Sequence, residues 1–189
     1  LQPASVTKIM TMLLTMEALE RGEVTLDTMI TGSEYACSMG GTQIWLEPGE
    51  QLTLDEMLKA IAVGSANDCA VAVAEHLAGT EAAFVERMNA RAAQLGMENS
   101  HFCNPSGLDE DGHFSTARAL ALLTRAALRN AAFREAVGTK CITLGSRVLE
   151  NHNRLLWRYP GANGVKTGYT RAAGRVLVSS ASRGGRTLI

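Results

Sequence analysis

Ser5 and Lys8 stand three residues apart, just after Pro3, at the start of a run of apolar residues. On a helix that spacing puts both side chains on one face, so the hydroxyl and the amine can come within hydrogen-bond reach. A serine hydroxyl is a weak nucleophile until a base takes its proton, and a lysine whose ammonium is disfavoured by burial can be that base. A helix start adds unpaired N–H groups and the positive end of the helix dipole, both suited to an oxyanion. The bland reading of the same residues is a helix cap followed by a solvated charge. Ser-x-x-Lys alone does not separate the two.

Two further clusters carry polar side chains where an apolar pattern breaks. Ser65-Ala66-Asn67 lies between two apolar stretches, where the ordinary expectation is a turn with Ser65 or Asn67 capping the helix from Asp68. Lys166-Thr167-Gly168 sits within Val165 to Tyr169. A glycine in a strand allows close approach of a ligand or another backbone, and Lys with Thr there can bind a carboxylate. A lysine on an edge strand also serves simply to discourage aggregation.

The elements that must position these clusters follow from periodicity. Ile9, Met12, Leu13, Met16 and Leu19 place one stripe on a helix from Ser5 to Arg21, with Gly22 as its C-terminal cap. Residues 23 to 50 read as short extended pieces and turns. Thr53 with Glu56 forms a capping box for a helix that Gly64 interrupts. Cys69 to Ala78 is almost wholly apolar and predicts a helix buried on most sides. Thr80 caps a helix over Glu81 to Leu95, and Ser115 is expected to cap another through Leu128, with a short turn over Phe133 to Val137. Val165 to Tyr169, Arg175 to Ala181 and Thr187 to Ile189 read as strands, with a turn at Gly184-Gly185.

The 189 residues fit one domain, and 46% hydrophobic content predicts a globular core. A net charge of -1 gives no footprint for nucleic acid. No apolar stretch is long enough to span a bilayer. Cys37, Cys69, Cys103 and Cys141 form no C-x-x-C pair and read as small buried or half-buried thiols, with a disulfide as the lesser alternative. His76, His101, His113 and His152 lack metal-ligand spacing and read as ordinary polar residues, with His152 the nearest to the site. No metal or organic cofactor is expected.

Taken together, Pro3-Ala4-Ser5-Val6-Thr7-Lys8-Ile9-Met10-Thr11, Ser65-Ala66-Asn67 and Gly164-Val165-Lys166-Thr167-Gly168-Tyr169 resemble the three ordered motifs of penicillin-recognising serine enzymes. Gly49-Glu50-Gln51-Leu52-Thr53, Ala74-Glu75-His76-Leu77-Ala78-Gly79, Phe102-Cys103-Asn104-Pro105-Ser106-Gly107-Leu108-Asp109 and Tyr159-Pro160-Gly161 extend the likeness to low-molecular-mass penicillin-binding proteins, the D-alanyl-D-alanine carboxypeptidase family of serine peptidases. The resemblance implies an α+β, β-lactamase/DD-peptidase (transpeptidase-like) fold, helical over 1–160 and with antiparallel sheet strands over 164–189. It also implies a single domain over 1–189 that lacks terminal strands and any membrane anchor.

In the roles the resemblance implies, Ser5 attacks the carbonyl between two D-alanines and Lys8 takes its proton. Ser65 passes a proton to the departing D-alanine, and Asn67 holds the substrate amide. Lys166 and Thr167 bind the terminal carboxylate, while Gly168 and Tyr169 complete the binding strand and the Ser5 and Tyr169 N–H groups hold the oxyanion. The implied partners are peptidoglycan stem peptides ending in D-Ala-D-Ala and β-lactams as covalent inhibitors, on the outer face of the cytoplasmic membrane or in the wall. Ala66 departs from the family, where glycine is common. A basic residue that the family supplies from a later strand is absent. A serine β-lactamase shares the layout, but its Glu-x-x-x-Asn stretch has no counterpart, since neither Glu98 nor Glu110 has Asn four residues on. The same motifs would also serve endopeptidase or transpeptidase action, and a non-catalytic scaffold could keep the fold.

Overall fold

The computed structural model describes residues 1–189. The chain opens with a tight 3-10 turn, Ala4–Thr7, that passes directly into α1, Lys8–Glu20. The helix expected from Ser5 therefore begins one turn later. Its reasoning survives, because i and i+3 side chains also align in a 3-10 turn. Ile9, Met10, Met12, Leu13 and Met16 are buried, and so are Thr11 and Thr15, so α1 runs through the core rather than along its surface. Burying each large apolar side chain contributes about 1.5–3 kcal/mol, which firmly fixes the helix that carries Lys8 and, leading into it, the turn that carries Ser5.

The excursion over 23–50 contains one strand, β1 (Met29–Thr31), and one helical turn, α2 (Glu34–Cys37); β1 pairs antiparallel with β2 (Gln51–Thr53). The capping box is present: Thr53 Oγ1 accepts from Glu56 N at 3.2 Å and Glu56 Oε2 accepts from Thr53 N at 2.8 Å. It starts α3, Leu54–Lys59, which widens to a π-helical stretch over Ala60–Gly64. A Cβ on Gly64 would come 3.2 Å from Leu149 Cδ1, a tight contact that the Leu149 side chain would have to shift to relieve.

α4, Asn67–Ala78, follows, with Ala66 at its N-cap and no side-chain cap. Neither Ser65 nor Asn67 caps it, because both side chains are committed to lysines. α5 (Glu81–Gln94) is capped by Thr80, and α6 spans Ala117–Ala127. Thr116 caps α6, not Ser115: Thr116 Oγ1 accepts from Ala119 N, while Ser115 Oγ lies 2.8 Å from Ser100 Oγ. α7 is Ala131–Gly138. Together α4, α5, α6 and α7 surround α1.

A hairpin of β3 (Cys141–Leu144) and β4 (Arg147–Glu150), which the periodicity did not predict, precedes a short helix α8 (Leu155–Arg158). One face, with Leu144 buried and Ile142 and Leu149 packed against the core, is covered and the other is exposed, but each strand has only four residues, too few for the alternation to stand out in the sequence. Cys141 is accordingly exposed rather than buried; Cys69 is buried, Cys37 and Cys103 are half-buried, and all four are free thiols. The main sheet has the order β5 (Ala162–Thr170), β6 (Gly174–Arg183), β7 (Arg186–Leu188), all antiparallel. β5 is an edge strand, and it lies against the 3-10 turn that carries Ser5. No helix is long and apolar enough to cross a membrane.

Candidate active site

The turn that carries Ser5 is clamped from two sides. Ala4 takes φ +50°, a left-handed conformation uncommon for a residue with a Cβ. Gly107, at φ +84°, packs onto the Ala4 carbonyl so closely that a Cβ there would overlap it. On the other side Gly168 lies against Ser5: a Cβ would stand 3.0 Å from Ser5 N and 3.1 Å from Ala4 Cβ. The glycine of the third cluster is thus required by the close approach of β5 to Ser5.

Lys8 is fully buried. Its Nζ lies 2.9 Å from Ser5 Oγ, 2.6 Å from Asn67 Oδ1 and 2.6 Å from the Ser106 carbonyl. The last two can only accept. A neutral amine has two hydrogens and one lone pair, so with both hydrogens donated to these oxygens the lone pair faces the Ser5 hydroxyl. Burial, and then the charge of Lys166, hold the Lys8 pKa well below its usual value, against the opposing pull of Asp68 and Cys69. The residue is set to accept a proton from Ser5.

Ser65, at φ +61°, turns its hydroxyl towards β5. Lys166 Nζ donates to Ser65 Oγ at 2.9 Å and to the Thr167 carbonyl at 3.1 Å. Lys166 is buried, and burial alone brings its pKa down to about 7. Asn67 accepts from Lys8 through Oδ1 and donates through Nδ2 to the Gly40 carbonyl at 2.7 Å. A Cβ on Gly41 would meet Asn67 Nδ2 at 2.7 Å, so the Gly40-Gly41 pair forms the wall behind that amide. Ala66 is fully buried, so its methyl fills core space and stays out of the cleft. Ser5, Ser65, Thr167, Gly168 and Tyr169 line one cleft of about 820 Å³. All eight residues singled out from the sequence thus lie at or directly behind one cleft.

Several contributors had no sequence signal of their own. Asp68, fully buried, accepts from Ile44 N at 3.2 Å and Leu46 N at 3.1 Å, and Asn67 N donates to the Thr42 carbonyl at 2.8 Å, so the loop before α3 is tied to the second cluster. His113 is a structural residue: Nδ1 accepts from Cys103 N at 3.2 Å, which leaves Nε2 to donate to Thr7 Oγ1 at 2.8 Å. Burial lowers its pKa to about 4 and keeps it neutral. His152 lines the cleft, as expected, together with Arg154 and Arg175. The stretch Asn104 to Gly107 carries no catalytic side chain, yet it supplies the Lys8 acceptor at Ser106 and the buttress at Gly107.

A serine beside a buried lysine whose pKa is held down, a second serine held by a second lysine, and an edge strand flanking both can perform acyl transfer. The family model described as D-alanyl-D-alanine carboxypeptidase matches residues 1–189. The chain belongs to the D-alanyl-D-alanine carboxypeptidase family. It is 48% identical over 189 residues to the D-alanyl-D-alanine carboxypeptidase DacF of Bacillus subtilis, covering 97% of this chain and 49% of the relative. It is 36% identical to DacC of Escherichia coli over 197 residues, with 100% and 49% covered. The crystal structure of penicillin binding protein 6B from Escherichia coli superposes with a TM-score of 0.93 at 33% identity, over 99% of this chain and 62% of that one. That of DacD from Francisella tularensis gives 0.89 at 31%, over 98% and 58%. The chain spans about half the length of the curated relatives it matches. The α+β DD-peptidase fold expected from the resemblance is therefore the fold observed.

Proposed function

We propose that this protein is a serine-type D-alanyl-D-alanine carboxypeptidase that removes the terminal D-alanine of peptidoglycan stem peptides, outside the cytoplasm, and is acylated by penicillins. The observation that carries the reading is the Lys8 amine, 2.9 Å from Ser5 Oγ with its two other contacts both acceptors. Ser5 Oγ attacks the carbonyl of the penultimate D-alanine as its proton passes to Lys8 Nζ. The oxyanion is read between the N–H groups of Ser5 and Tyr169, a reading supported by the close approach of Gly168 to Ser5 N.

Ser65 relays a proton to the departing amine nitrogen, with Lys166 holding its hydroxyl. The C–N bond breaks, D-alanine leaves, and water hydrolyses the Ser5 ester. Lys166 and Thr167 bind the substrate's terminal carboxylate and Asn67 its amide. The open edge of β5 lets the peptide backbone add as a further strand. Glu110 gives a β-lactamase reading no support: it accepts from Asn104 Nδ2 and lies in a different pocket from Ser5.

The test is to incubate the purified protein with fluorescent penicillin and, separately, with an acyl-D-Ala-D-Ala peptide. A stable covalent label on Ser5 and release of D-alanine are expected. Neither a label nor release would overturn the reading.

A further inference from the structure

The net charge of -1 conceals a segregation of charge along the chain. Residues 117–189 hold thirteen of the eighteen basic side chains and two of the nineteen acidic ones, a formal +11. Residues 1–116 hold the other five and seventeen, a formal -12. Such an asymmetry concentrates positive potential on the elements after α5 and draws anions to them, whatever the total. One concavity in that half gathers it. Between the end of α6, the start of α7 and the β6–β7 pair lies a groove of about 430 Å³, lined by Arg125, Arg129, Arg134, Asn163, Ser182 and Thr187.

Every charged residue of this lining is an arginine. All three are exposed and none is in an ion pair. Arg134 Nη1 donates to the carbonyls of Leu128 and Arg129 at 2.7 and 2.9 Å, which fixes it at the end of α6 and offsets the negative end of that helix. Its Nε and Nη2 remain free, as do the guanidinium groups of Arg125 and Arg129. The acidic residues of the adjoining helices are already engaged: Glu20 accepts from Asn130 Nδ2 at 2.9 Å, and Glu135 lies 3.5 Å from Lys59. Asn163 Nδ2 donates to Ser182 Oγ at 2.9 Å, and the Ser182 and Thr187 hydroxyls share one hydrogen bond at 2.7 Å. Whichever of the two donates, one hydroxyl proton is left for a ligand.

We infer that this groove binds a linear polyanion of phosphodiesters joined by small linkers, and so holds the protein against such a polymer. A planar carboxylate is satisfied by one guanidinium fork, whereas phosphates repeating along a chain meet Arg125, Arg129 and Arg134 in turn. Leu128 and Leu188, also in the lining, offer apolar contact to the linkers. No aromatic side chain lines the groove, so nothing there stacks a nucleobase. A concavity suits a chain lying in it better than a flat bilayer. The groove shares no lining residue with the catalytic cleft. Asn163 stands three residues before Lys166 on β5, roughly 10 Å along the strand, so a bound polymer keeps the cleft close to itself and open.

The test measures binding and needs no catalysis, so its outcome is separate from that of the acyl-enzyme reading. A fluorescein-labelled glycerol phosphate oligomer is titrated with the purified protein by fluorescence anisotropy at several salt concentrations. Binding is expected, with log K falling against log salt at a slope of about -2, from three phosphate contacts at about 0.7 each. Arg125→Gln and Arg129→Gln are each expected to weaken binding about fivefold at low salt and to make the slope shallower by about 0.7, with the melting temperature unchanged. Arg171→Gln removes the same charge from the β5–β6 turn, outside the groove, and is expected to bind within about 1.5-fold of the parent. Absence of binding overturns the site. So does an equal loss in Arg171→Gln, because a diffuse field then accounts for the attraction. Equal affinity for poly-L-glutamate overturns the phosphate assignment, and tighter binding to vesicles of phosphatidylglycerol than to the oligomer overturns the polymer in favour of a bilayer.

Discussion

Gly168 of β5 faces the backbone nitrogen of Ser5 so closely that one added methyl would stand 3.0 Å from it. Strand β5 and the turn that carries Ser5 are therefore in register to a few tenths of an ångström. Gly168→Ala must push the two apart and widen the space between the Ser5 and Tyr169 N–H groups. Loss of one such donor costs about 10²–10³ in rate, so acylation by penicillin is expected to fall by about a hundredfold with the melting temperature nearly unchanged. Stopped-flow acylation with a fluorescent penicillin measures it, and a rate within threefold of the parent would refute the argument.

Ser5→Ala removes a single oxygen from a half-buried position. Covalent penicillin labelling is expected to vanish while the circular dichroism spectrum stays the same. Full labelling of the variant would assign the nucleophile elsewhere.

Lys8 and Lys166 are coupled. The positive charge of Lys166 helps keep Lys8 deprotonated, second only to burial. Lys166→Gln is therefore expected to raise the Lys8 pKa and move the rise of acylation rate to higher pH. The displacement is largest below about pH 7, where Lys166 carries its proton. With a carboxylate-bearing substrate the parent should also show kcat/KM falling as pH rises through about 7, because the free enzyme then loses its carboxylate anchor. A rate profile at the same position in both proteins, with only weaker substrate affinity in the variant, would mean that burial alone tunes Lys8.

The same lysine costs stability. Its pKa is about 7 in the folded protein against 10.5 for the free side chain, so between those values the unfolded chain binds the extra proton. Stability from this group therefore rises with pH from about 7 to 10.5, and the full penalty is present below 7. Lys166→Met is expected to be inactive on substrate yet to melt several degrees higher at pH 7, and to lose that part of the pH slope. Calorimetry across pH 6 to 10 checks both. A variant that melts lower would show that the Ser65 and Thr167 contacts outweigh the desolvation.

His113 predicts behaviour at acid pH. It stays neutral down to about 4 when folded, against 6.5 when unfolded, so stability is lost as pH falls from 6.5 towards 4, by up to about 3 kcal/mol. His113→Gln, which cannot take that proton, should flatten the acid limb of the unfolding curve. An unchanged limb would place the acid sensitivity in the carboxylates.

The sequence by itself determined the local chemistry. A three-residue spacing puts Ser5 and Lys8 on one face whether the turn is 3-10 or α, which is why starting α1 at the wrong residue did no harm. The capping box at Thr53 and Glu56, the buried helix α4 and the strands β5 and β6 were legible because periodicity and capping are local properties. Where elements were short, the signal failed: β3 and β4 have four residues each, and although one face of the hairpin packs on the core, so brief an alternation does not stand out from its surroundings. Ser115 and Thr116 are both competent caps, and only the contact of Ser115 with Ser100, brought near by the fold, decided between them.

What tertiary structure decided was the environment of the charges. Nothing local to Lys8 says that its amine meets the Ser106 carbonyl 98 residues away, or Asn67 59 residues away. Nor does the sequence show that Gly107 buttresses Ala4, or that Gly168 lies against the Ser5 nitrogen. A side chain's pKa and its freedom to bind depend on which groups surround it in three dimensions. Those groups come from distant parts of the chain, and only packing fixes their distances.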